Sequence, residues 1–138
     1  MVDVRSRMHR ILKRMPKFRE ISERSDLSIL LATGLMLSAS EEALGIYAND
    51  ELSFSDAILF TTEGLYLHQN ECWRRVLYSD IARPVLPSSK REVTGFSLLL
   101  RDGTELHLPV TGSKDGRFYD AFEVLRFVDR VKDDVASP

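Results

Sequence analysis

A chain of 138 residues with 43% apolar and 29% charged side chains has the make-up of one globular domain with a single ordinary core, which excludes global disorder. Its formal charge is −2, but unevenly spread: residues 1–24 carry eight basic against three acidic side chains, and the rest eleven against eighteen. One cysteine, Cys72, excludes an internal disulfide framework and fits a reducing compartment, and no run approaches the roughly eighteen apolar residues of a membrane span.

Residues 3–15 place Met8, Ile11, Leu12 and Met15 on one stripe of a predicted α-helix, with Arg5, Arg7, Arg10, Lys13 and Arg14 over much of the rest. Pro16 stops it, because its ring cannot continue the helical hydrogen bonding. Such a helix either packs its stripe on the body or docks on an anionic membrane through Arg5, Arg7, Arg10, Lys13, Arg14 and Lys17. The first role is the default for a short amphipathic stripe. A second helix is predicted over Leu27–Leu37, with Ser25 as N-cap, Asp26 on the dipole and Gly34 inside it. It is apolar on nearly all sides and is either a core helix or a self-association face. A basic start, this apolar run and Ser38-Ala39-Ser40 mimic a secretory signal, but a 24-residue acid-containing leader argues against one.

From Ala43 the period becomes that of strands. Seven are predicted: Ala43–Ala48, Ala57–Thr61, Gly64–His68, Cys72–Tyr78, Ala82–Leu86, Phe96–Arg101 and Thr104–Val110. Thr62-Glu63-Gly64 and Gln69-Asn70-Glu71 cut the central three into a meander, whose partial alternation suggests one wet face. Pro84 and Pro87 assign the fifth strand to an edge, and Asp102-Gly103 is a two-residue hairpin signal. Ser88–Thr94 reads as a charged loop and Gly112–Gly116 as a turn. A C-terminal amphipathic helix follows, with Phe118, Phe122, Leu125 and Val128 inward, Ala121, Val124 and Val131 flanking, and Asp120, Glu123, Arg126, Asp129, Arg130 and Lys132 outward; Val135–Pro138 are expected to fray.

No catalytic or metal-binding constellation is legible. His68 and His107 read as wet-face strand residues without a ligand set, Cys72 as a packed thiol, and no Gly-rich phosphate loop is present. Neither enzyme activity nor a cofactor is therefore expected. Trp73, Arg74, Arg75 and Tyr78 are residue types enriched at protein hot spots, which makes their strand the predicted contact surface. Nucleic acid is not an expected partner, because the basic segment has no stacking aromatic before Phe18 and the body is acidic.

The succession EEALGIYAND, AILFTTEGLYLH, WRRVLYSDIARPV and FSLLLRDGTELHLPV, then a final helix, resembles the bacterial PH-like domains of the pleckstrin-homology/GRAM superfamily over about residues 41–133. The shared cues are the turn Thr61-Thr62-Glu63-Gly64-Leu65 and the segment Tyr78-Ser79-Asp80-Ile81. The resemblance implies a mainly β, α+β fold: a seven-stranded antiparallel barrel closed by the C-terminal helix. Two N-terminal helices in a segment 1–40 would precede this domain of residues 41–138. It also implies a non-enzymatic interaction or adaptor module. In lipid-binding relatives, basic residues around the first strand loop hold phosphoinositides; here Asn49–Asp56 carries three acids and no base, so no phosphoinositide is expected there. The preferred expectation is a cytoplasmic module that binds a protein partner or itself through Leu27, Leu30, Leu31, Leu35, Trp73, Arg74, Arg75 and Tyr78. The alternative is a peripheral protein on the inner face of a membrane, held by the basic helix.

Overall fold

The computed structural model describes residues 3–21, 24–50, 54–85, 95–111 and 119–136, with the backbone alone at 24–27, 119 and 136. The predicted loop at Ser88–Thr94, the turn at Gly112–Gly116 and the inward Phe118 lie outside the described residues.

Asp3 opens the first helix by accepting the Ser6 N–H at 2.7 Å, and α1 spans Val4–Arg7. It continues as a π turn over Met8–Leu12, closed by the Lys13 N–H donating to the Met8 carbonyl at 3.1 Å. The extra residue of the π turn still leaves Met8, Ile11 and Leu12 on the inner side. Past Pro16 the chain becomes β1 (Phe18–Glu20), which pairs antiparallel with β2 (Ala43–Ala48).

Between them lies α2 (Arg24–Leu31), shorter than the predicted Leu27–Leu37 helix. It begins before Ser25, so that residue is inside the helix and is not its cap. Gly34 terminates it: the residue adopts φ +93°, a left-handed conformation that suits glycine at a helix end.

The remaining strands are β3 (Ala57–Thr61), β4 (Gly64–Gln69), β5 (Cys72–Leu77), β6 (Ile81–Val85), β7 (Gly95–Leu100) and β8 (Glu105–Pro109), followed by α3 (Tyr119–Ala136). Among the described residues this makes eight strands in two antiparallel sheets, β1-β2-β3-β4-β5 and β6-β7-β8, so the expected closed seven-stranded barrel is corrected to an open five-plus-three arrangement. The seven predicted strands are β2–β8; the eighth comes from the N-terminal segment. A three-residue strand is too short for periodicity to announce it.

The turns follow local chemistry. Asn70 and Glu71, at φ +52° and +64°, make the two-residue connection of β4 to β5, whose twist matches that of the paired strands. The predicted Asp102-Gly103 hairpin joins β7 to β8, with the Leu100 N–H donating to the Thr104 carbonyl at 2.8 Å. Pro84 lies in edge strand β6.

The five-stranded sheet is covered on both faces. Its inner face carries Leu44, Tyr47, Ile58, Phe60, Leu65, Leu67 and Val76 into one core with Met8, Ile11, Leu12, Met15, the smaller sheet and α3. Phe60 stacks edge-on against Phe127 with ring centroids 5.2 Å apart. On the outer face Ile46, Ala57, Leu59 and Tyr66 form a second cluster with Leu30 and Leu35. The meander therefore has no wet face over β2–β4, contrary to the alternation read from sequence; only β5 keeps exposed positions.

Two inward faces differ from expectation. In α3 the buried set is Ala121, Val124, Phe127, Val128 and Val131, while Phe122 is exposed, so the helix is rotated by about one position from the predicted stripe. Asp120, predicted outward, is buried and accepts from the Tyr47 hydroxyl at 2.8 Å. The helix also runs on through Ala136, so the expected fraying at Val135 is replaced by helix.

Gly95 tests how tightly the small sheet is packed. A Cβ there would lie 2.0 Å from the Leu108 carbonyl oxygen, and φ is +143°. Gly95→Ala is expected to cost about 1–3 kcal/mol or more, measured as a lower denaturation midpoint with unchanged slope.

Candidate functional site

Of the residues expected to make contacts, Leu30, Leu35, Trp73 and Arg75 come together on the outer face of the large sheet. The register Ala57↔His68↔Trp73 places one row of side chains there, and Arg19↔Ile46↔Leu59↔Tyr66↔Arg75 the next. Over these rows lies α2. Leu30 and Leu35 are buried against the sheet, whereas Leu31 on the same helix is exposed; Leu27 belongs to α2, with its side chain outside the described set. The half-buried Trp73 donates from its indole Nε1 to Thr33 Oγ1 at 2.9 Å, so the two segments singled out in the sequence are tied together.

Arg74 is exposed, but its pairing with Leu67 puts it on the opposite face from Trp73, so it does not join the outer site; Arg75 is on the outer face and pairs with Glu63 at 3.1 Å and Glu41 at 3.4 Å. Tyr78 does not join them. It is fully buried in the main core and donates to the Thr61 carbonyl at 2.9 Å, so its place as a contact residue is corrected: the 3-10 turn at Tyr78–Asp80 swings it inward.

The network around Arg75 has a centre the sequence did not announce. Glu41, with its carboxylate out of solvent, accepts from the Thr61 hydroxyl, from the Tyr66 hydroxyl at 2.6 Å and from the Ser38 N–H at 3.3 Å. Burial opposes its charge, but these donors and Arg75 outweigh it and hold the carboxyl below the usual range. Tyr66 answers in the opposite direction: burial, then the neighbouring Glu41, pushes its phenol up to about 12. Thr61 Oγ1 also accepts the Gly64 N–H at 3.1 Å, which gives the Thr61-Thr62-Glu63-Gly64 turn its physical role. No spacing rule points at Glu41, since a Glu-Glu pair before a strand reads as solvated surface.

Beside this network is an open cleft of about 800 Å³. Its floor is Ile46 and Ala48 of β2, its walls Ile29 and Thr33 on one side and Phe54 and Ser55 on the other, and its rim Pro16, Lys17 and Arg19. His68 lines it, buried and not exposed as the strand pattern suggested; His107 is exposed as expected. The His68 ring stacks on Trp73 with centroids 4.2 Å apart and planes 6° from parallel. Its Nδ1–H donates to the Phe54 carbonyl, leaving Nε2 as the lone-pair acceptor. That Nε2 is buried with no hydrogen-bond partner among the described residues, a condition that costs about 1–3 kcal/mol.

Four of the six basic residues read as membrane-binding, Arg5, Arg7, Lys13 and Lys17, are engaged within the chain. Arg5 pairs with Glu42, Arg7 with Asp134 at 2.9 Å, and Lys13 with Glu20 at 3.6 Å. The Asp134 hydrogen bond raises the Arg7 pKa above its ordinary value. Lys17 donates to the Asn49 carbonyl at 2.8 Å, while Arg10 and Arg14 are exposed. The apolar stripe between them is spent in the core, not presented to a surface.

Of the loop expected to lack phosphoinositide-binding bases, residues 51–53 lie outside the described set; Asn49 there is a structural bridge, accepting the Thr111 N–H at 2.8 Å. Among the described residues no helix is long and apolar enough to cross a membrane, and no group of three His, Cys, Asp or Glu could hold a metal ion. Cys72 is a free, exposed thiol. The chain matches no family model, and no curated protein or solved structure is significantly similar to it.

Proposed function

We propose that this chain is a non-enzymatic protein–protein interaction module that uses the outer α2 face of its large sheet, with a second copy of the chain as the simplest partner. The observation that carries the reading is the incomplete burial of α2. Leu30 is 1% exposed, whereas Ile29 and Leu31 on either side are 55% and 46% exposed, and Met36 beyond the helix is 83% exposed. Apolar residues left in water around a pinned aromatic, here Trp73, are the composition of a contact patch. The order of strands β2–β8 and the closing α3 supports the kinship with bacterial PH-like domains, and through it a binding role in place of a catalytic one. The exposed Cys72 thiol suits a reducing, cytoplasmic setting.

Leu31→Asp tests this without disturbing the core, because Leu31 is already exposed. Size-exclusion with light scattering is expected to return a dimer for the wild type and a monomer for the variant, at equal thermal stability. A wild-type monomer under the same conditions removes self-association.

A further inference from the structure

The cleft between α2 and β2 shares its Ile29 wall with the α2 contact patch proposed above, but its depth is lined by other residues, Ile46, Ala48 and His68. His68 is 5% exposed, its Nδ1–H is committed to the Phe54 carbonyl, and its Nε2 meets no partner among the described residues, so an unsatisfied acceptor is fixed in a side chain that lines a cleft of about 800 Å³. That volume is within the usual range for small-molecule sites, roughly 300–1,000 Å³. Stacking on Trp73 and the Phe54 bond hold the ring at both ends, so the acceptor is preorganised and cannot rotate away to find water. The surfaces next to it are apolar, from Ile46, Ala48, Ile29 and Phe54. The charged side chains among the described lining residues are both cationic, Lys17 and Arg19. Of the three N–H groups of Lys17, one is used by the Asn49 carbonyl.

We propose that this cleft binds a small amphipathic anion that bears a hydroxyl: its apolar body lies on Ile46 and Phe54, its hydroxyl donates to His68 Nε2, and its carboxylate meets the cationic rim. The acceptor explains the hydroxyl, and the sign of the rim charge explains the anion. The match discriminates by chemistry, because a site holding a buried acceptor rejects an analogue that lacks the donor.

The test titrates the full chain with 8-hydroxyoctanoate, whose hydroxyl and carboxylate lie at opposite ends as His68 on β4 and the rim at β1 do, and, separately, with octanoate, reading backbone amide shifts and the His68 Nε2 nitrogen resonance. The hydroxy acid should bind saturably, move the Nε2 resonance and the Ile46 and Ala48 amides, and bind roughly tenfold more tightly than octanoate. In His68→Phe, whose flat ring can keep the stack on Trp73, that preference should vanish while octanoate affinity persists. If that variant fails to fold, Lys17→Glu at the rim should weaken both acids by charge repulsion. Equal affinity for the two acids in the wild type, shifts confined to α2 surface residues, or an unmoved Nε2 resonance that water alone satisfies would each overturn the proposal. Light scattering of Leu31→Asp is indifferent to all of these outcomes, so the two readings fail separately.

Discussion

A chain lacking residues 1–20 is expected to lose cooperative folding altogether. The deleted segment supplies Met8, Ile11, Leu12, Met15 and Phe18 to the main core, each no more than 8% exposed. At about 1.5–3 kcal/mol per buried apolar side chain their loss comes to the order of 10 kcal/mol, comparable to the whole stability of a domain at about 5–15 kcal/mol. The truncation also unpairs β2, whose register Phe18↔Tyr47, Arg19↔Ile46 and Glu20↔Gly45 is supplied by β1. The Phe18 ring covers Gly45 so closely that a Cβ there would come within 2.2 Å of it. An uncovered edge beside exposed core is an aggregation site. The measurement is thermal and chaotrope unfolding of residues 21–138 beside the full chain. A sigmoidal transition within a few degrees of the full chain would show that the remaining core suffices; restoration of the transition by added peptide 1–20 would locate the loss in this segment.

Glu41→Ala is the point substitution expected to cost most on the outer face. It removes the acceptor shared by Thr61, Tyr66 and the Ser38 N–H, and leaves Arg75 with Glu63 alone. Breaking a buried charged network by deleting one member typically costs about 3–5 kcal/mol, and Glu41→Gln, which keeps the shape and one acceptor, should cost about 1–3 kcal/mol. The pH dependence separates charge from shape. Because the folded Glu41 carboxyl titrates below its ordinary value, its stabilisation is fully present above the unfolded pKa of about 4.3 and is lost as pH falls through the folded value. Tyr66 has the opposite sign: with its phenol raised to about 12 in the folded chain, stability is intact below about 10 and declines between there and 12. Urea midpoints followed into acid should therefore fall more steeply for the wild type than for Glu41→Gln, and tyrosinate absorbance should rise at lower pH in the variant. Superimposable acid limbs would mean that the carboxylate is not what holds the network.

Short-range signals were strong wherever a side chain's role is decided by its immediate neighbours. All seven strands from Ala43 onward are present to within a residue or two, because β propensity and turn chemistry are local properties. The hairpin at Asp102-Gly103 follows from glycine geometry alone, whereas the first helix ends at Leu12, three residues short of the stop after Met15 that Pro16 predicted. The apolar stripe Met8, Ile11, Leu12, Met15 is buried on the body, even though the helix widens into a π turn and ends before Met15. The contact residues were partly legible: Trp73 and the α2 leucines meet through Thr33 because both were recognisable as large apolar groups in excess of one core. Tyr78 was misplaced because hot-spot composition does not distinguish an aromatic facing solvent from one facing inward, and one turn of 3-10 helix reverses the answer.

Sequence by itself determined the mainly β, α+β class, the strand sequence β2–β8, the closing helix and the charge split between head and body. Those properties depend on contacts within a few residues of each other. Only the tertiary structure decided that the head is part of the fold, through β1 and the main core, and that the strands divide into sheets of five and three. It alone brought Glu41 under Tyr66 and Arg75, and turned His68 from a surface residue into the buried acceptor of a cleft. The reason is common to all of these. Each depends on which face of a strand is covered, and the covering residues belong to other elements, as Leu30 and Leu35 do over Ile46 and Tyr66, where neither period nor propensity records the meeting.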